Sequence, residues 1–164
     1  MCNKHNTTGR ETKVSDLGLD QVEQLLLLTA RQYFVSYTDP SHPHWETAFD
    51  ICESQFGEET GSQIAAGVLG VLRKMRVSRR STFHFTNPYC RQCAGRLSEC
   101  ECQLFSALRH MRNRDTQSAY DEAVLLCEGH QVEPMLRAME KLCELLPNAA
   151  PSVPLTAPST RSLH

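Results

Sequence analysis

Apolar residues along most of this chain recur every three to four positions, and strand-like alternation is nearly absent. That spacing lines one stripe of a helix and leaves the other faces polar, so the stable solution is a set of helices burying their stripes against one another. The expected fold class is therefore all-α: about six helices in a compact, bundle-like domain. Capping and breaking signals divide the pattern. A first helix starts near Asp20, with Glu23 three residues on as a capping box, and runs to about Val35. The connection YTDPSHPH follows, with two prolines. A second helix carries Trp45, Ala48, Phe49, Cys52 and Phe56 and ends at Gly57. Cys52 lies on its stripe and reads as a small buried apolar group.

The third helix is expected from about Glu58 to Val77, with Ile64, Val68, Leu72 and Met75 inward. Its glycines Gly61, Gly67 and Gly70 each cost about 1 kcal/mol against alanine, which suggests that another helix comes close. Next comes STFHFTNPY, where Phe83 and Phe85 alternate in a short strand or an extended segment. Ser98 and Glu101 form a capping box for a fourth helix bearing Leu104, Leu108 and Met111. Asp115 or Thr116 caps a fifth, with Ala119, Tyr120, Ala123, Val124 and Cys127, closed by Gly129. A sixth runs from about Val132 to Leu146. The expected organisation is a flexible N-terminus over 1–15 and a single helical domain over 16–146. A disordered Pro/Ser/Ala-rich tail over 147–164 completes it.

Between the third and fourth helices lies an insertion that no helix pattern explains: Y-C-R-Q-C-A-G-R-L-S-E-C-E-C. Four of the eight cysteines fall in its thirteen residues from Cys90 to Cys102. The first residues lack the apolar stretch of an export signal, and no apolar run approaches the roughly 20 residues of a membrane span. The chain thus reads as cytoplasmic. In that reducing setting, clustered thiols indicate a metal site or redox centre more often than staples.

Cys90 and Cys93, two residues apart with Gly95 close behind, make the first half of a zinc knuckle. Cys100 falls in the first turn of the capped helix, where free N–H groups and the helix dipole favour a thiolate. Cys102 lies about 200° round that helix from Cys100, so it joins only if the first turn is distorted. The ligand set expected is Cys90, Cys93, Cys100 and Cys102, with Cys127, His130 and His84 as substitutes. Zinc is the expected ion, ahead of an iron–sulfur cluster, since C-x₂-C-x₆-C-x-C matches neither common ferredoxin spacing. Both close cysteine pairs could also form disulfides and expel zinc under oxidation.

The basic residues are concentrated at the same place. Residues 73–114 hold ten of the seventeen Lys/Arg and two of the nineteen Asp/Glu. Arg73, Lys74, Arg76, Arg79, Arg80, Arg91 and Arg96 form the candidate surface for nucleic acid or an acidic protein. Part of that run has a structural reading, because cations complement a helix C-terminus and the acidic flanking helices could pair with them. No nucleophile elbow, paired-carboxylate motif or HExxH is present, and His42-Pro-His44 reads as a solvated connection. The chain is expected to be no enzyme and to have no small-molecule substrate. The expected function is that of a small zinc-stabilised regulatory binding protein that contacts nucleic acid. A protein-interaction adaptor and a redox or iron–sulfur sensor are the alternatives.

Overall fold

The structure, a computed structural model, describes residues 12–148. Within them the fold is all-α, with seven helices and one two-stranded sheet. The expected tail over 147–164 falls outside the described residues from 149 onward, as do residues 1–11 of the N-terminal segment. Residues 12–15 of that segment are in regular structure. Strand β1 (Thr12–Lys13) leads directly into the short helix α1 (Val14–Leu17).

Three of the helices begin where the caps in their sequence predict. In α2 (Gln21–Thr38), Asp20 and Glu23 exchange side-chain and backbone hydrogen bonds, at 2.8 and 3.0 Å. α3 (His44–Phe56) and α4 (Glu58–Ser78) meet at Gly57, whose φ of 82° no L side chain adopts without strain. α5 (Glu99–Arg112) carries the Ser98/Glu101 capping box, α6 (Thr116–Leu126) the Asp115 cap, and α7 (Val132–Leu145) closes the chain. β2 (Arg96–Leu97) pairs antiparallel with β1, Thr12 opposite Leu97 and Lys13 opposite Arg96. Residues 83–86, where Phe83 and Phe85 alternate, form no strand and run extended between α4 and the cysteine loop.

α2 packs on α3 and α4, α4 on α7, and α5 on both α6 and α7. Tyr33, Leu26, Ile64, Leu72, Met75, Leu126, Met135 and Met139 are fully buried among them. Each such side chain is worth about 1.5–3 kcal/mol on burial. The expected close helix approach is found at Gly61, where an added Cβ would collide with the Glu53 backbone. Cys52 is buried as its stripe predicts, its sulfur 3.4 Å from the Thr29 hydroxyl. No described helix is long and apolar enough to cross a membrane.

Candidate metal centre and basic cleft

The cysteine loop is held in place by a buried ion pair. Arg31, on the inner side of α2, meets Glu101 of α5 at 2.7 Å, with their side chains 4% and 1% exposed. Its other guanidinium nitrogens donate to the carbonyls of Ala94 and Arg96, at 2.7 and 2.6 Å. Glu101 also accepts from the backbone N–H of Ser98 and from the N–H and hydroxyl of Thr86. One carboxylate thus ties the start of α5 and the extended 81–86 segment to α2. From Asn87 onward the loop turns tightly: Cys90 N–H donates to Asn87, and Cys93 and Ala94 N–H donate back to the Cys90 carbonyl. These turns bring the two sulfurs together, Cys90 Sγ to Cys93 Sγ at 2.8 Å.

Cys100 and Cys102 do not gather around that pair. The first turn of α5 is regular, with Cys102 N–H bonded to the Ser98 carbonyl at 2.9 Å, so the two cysteines diverge as helical geometry requires. Cys102 is partly buried against the core, and burial raises its thiol pKa against an opposing hydrogen bond from Thr12. Cys127 is buried between α6 and α7, its thiol 3.7 Å from the Met135 sulfur and its pKa raised by burial. His130 sits in the turn after α6, and His84 is exposed on the extended segment. Among the described residues, no three ligand atoms that include any of these seven candidates lie within 4.8 Å of one another. The three that do are on Asp39, His42 and His44, residues read from the sequence as a solvated connection.

The basic residues separate into two groups. Arg79 lies folded inward. It donates to the Leu126 carbonyl and, at 2.8 Å, to the Ser81 hydroxyl, and lies 3.5 Å from Glu128. Glu128 in turn accepts from Ser81 and from the Arg80 backbone N–H, and those hydrogen bonds pull its carboxyl down to about 2. Arg73, Lys74, Arg76, Arg80, Arg91 and Arg96 are exposed. Beside the end of α4 is a cleft of about 240 Å³, lined by Phe34, Tyr37, Arg76, Arg79, Phe83 and Phe85, with the hydroxyls of Thr38, Ser81 and Thr82. Phe83 stacks on Phe34 at 4.4 Å, and the Arg76 guanidinium lies 3.8 Å over the ring of Tyr37, which is 41% exposed.

No protein-family model, curated protein or solved structure matches this chain. The functional reading therefore stands on its own side chains.

Sequence reasoning missed Arg31, which appears in no candidate set although it positions the whole loop. A signal was present: Arg31 is a lone cation in the stretch from Leu25 to Val35, otherwise apolar or uncharged. A charge on such a stripe calls for a buried partner.

Proposed function

We propose that this protein is a small zinc-stabilised binding protein that takes single-stranded nucleic acid along the basic end of α4. The observation that carries this reading is the cleft lined by both aromatic rings and arginines, on a helix that also exposes Arg73 and Lys74 and is followed by exposed Arg80. Single strands are bound by that combination, since every base has a stacking face and every phosphate a charge. A binding role in the reducing cytoplasm fits the paired thiols of Cys90 and Cys93.

Cys90 and Cys93 supply the first two zinc ligands. Two thiolates sharing a tetrahedral zinc at about 2.3 Å sit about 3.8 Å apart, so the pair would open by about 1 Å to receive the ion. Two further ligands complete the tetrahedron. Cys100 is one candidate; Cys2 and His5, outside the described residues, have the right donor types and the same two-residue spacing. Because the helical core is complete without it, the metal's role is to set the loop and, through Glu101 and Thr86, the aromatic wall of the cleft.

The test is fluorescence anisotropy with a short labelled single strand at several salt concentrations. The expected log–log slope is about −0.7 for each phosphate neutralised. Replacing Arg73, Lys74 and Arg80 by alanine should weaken binding and flatten that slope. Tyr37→Ala should cost about 1–3 kcal/mol, the value of one stacked base. Binding that ignores salt, or an acidic protein surface that competes better than nucleic acid, would refute this reading. Chelation should expose Cys90 and Cys93 to alkylation and weaken binding while leaving the helical content in place.

A further inference from the structure

We infer that Asp39, His42 and His44 form a second, solvent-open site for a divalent transition metal of the zinc, nickel or cobalt type. Asp39 caps the end of α2, and the turn SHP that follows carries the chain back so that His44 opens α3. The Ser41 N–H holds Asp39 Oδ1 at 3.3 Å, leaving Oδ2 to face both rings. It lies 2.8 Å from His42 Nδ1 and 3.7 Å from His44 Nε2, and the three ligand atoms are all within 4.8 Å of one another. Ligand atoms at about 2.0–2.2 Å from a shared ion stand about 2.9–3.5 Å apart, a range these two separations bracket. Two imidazoles and a carboxylate suit borderline divalent ions.

A second observation comes from the far side of His44. The Tyr89 hydroxyl donates its one proton to Gln32 Oε1 at 2.7 Å, and Gln32 is buried. Toward His44 Nδ1, 3.1 Å away, the same oxygen can only accept, so Nδ1 carries the ring proton. In the neutral imidazole the Nε2 lone pair then points at the Asp39 carboxylate, two acceptors facing each other. A proton on Nε2 relieves that conflict in the metal-free protein, and a metal ion between the two would take the proton's place. An outer partner that fixes the tautomer is the arrangement metal-bound histidines use. Three protein ligands leave coordination positions for water, so the ion would exchange readily. Tyr89 adjoins Cys90, which puts this site next to the cysteine loop without sharing a ligand with it.

The experiment uses the full chain with Cys90→Ser and Cys93→Ser, so that sulfur ligation is removed, titrated with Co²⁺ by calorimetry and absorption. One equivalent should bind, with d–d bands and no sulfur-to-cobalt charge transfer from those cysteines. His44→Ala and Asp39→Asn should each weaken it, and Tyr89→Phe should cost about 10–100-fold, as lost outer partners do. Failure to bind at millimolar cobalt, or affinity unchanged by His44→Ala and Asp39→Asn, would overturn the site. Should the double cysteine variant not fold, histidine-ring ¹⁵N spectra of the intact protein with added Zn²⁺ decide. His42 Nδ1 and His44 Nε2 should shift while His84, His110 and His130 stay still; equal shifts at all five would also overturn the site.

Discussion

The Arg31 guanidinium ends on Glu101 and on the carbonyls of Ala94 and Arg96, while Glu101 takes Ser98 and Thr86 as well. Two ions out of water are costly, and this pair is tolerated because nearly every donor and acceptor is matched. Removing one partner leaves the other charge buried. Arg31→Ala should therefore lower the unfolding free energy by about 3–5 kcal/mol, read by urea denaturation. It should also speed alkylation of Cys90 and Cys93, because the two carbonyls that anchor their loop lose their donor. Arg31→Lys should recover little of either, since one ammonium cannot serve three directions at once. A stability loss below about 1 kcal/mol for Arg31→Ala would show that the loop is held by something else. The pair spans 70 residues, so no local pattern announces it. The Ser98/Glu101 capping box was legible; that its carboxylate also serves α2 was not.

Helices are where the sequence reads most directly, because caps and stripes are local. Asp20, Ser98 and Asp115 cap the helices their spacing predicts. The β1–β2 pair was not legible, because two residues per strand are too few for alternation to register. The approach of Asp39, His42 and His44 was not legible for a related reason: a proline-bearing turn, not a repeat, brings their side chains together. The glycines of α4 had one expected role, close helix approach, and the structure divides them. At Gly61 a methyl group would meet the Glu53 backbone, which no rotamer change relieves, whereas at Gly70 nothing lies within 4 Å. Gly61→Ala should destabilise by about 1–3 kcal/mol or more through overpacking. Gly70→Ala should stabilise by up to about 1 kcal/mol, because it removes glycine's excess backbone entropy from a helix interior. Thermal melts of the two variants should move in opposite directions, and a shift of the same sign for both would contradict the α3–α4 packing.

Across the whole molecule, one charge run serves two ends. The sequence places ten cations in residues 73–114, and composition alone does not say which of them face a partner. Folding separates them by what their helices lie against. Arg112, with its side chain 2% exposed, reaches Asp20 and Glu23 at 2.8 Å and so fastens α5 to the start of α2. Arg109 donates to the Leu17 carbonyl, and Arg79 is folded onto the α6–α7 turn. Arg73, Lys74 and Arg80 point outward from the end of α4. The two groups should therefore fail differently when removed. Arg112→Ala strands the buried Glu23 carboxylate and should cost about 3–5 kcal/mol, whatever the ligand. The triple Arg73, Lys74, Arg80 to alanine variant should stay within about 0.5 kcal/mol per site of the parent in stability, yet carry the loss of salt-dependent binding. If instead the triple variant unfolded, or Arg112→Ala melted like the parent, the cations that hold the fold and those that meet a partner would have been assigned the wrong way round.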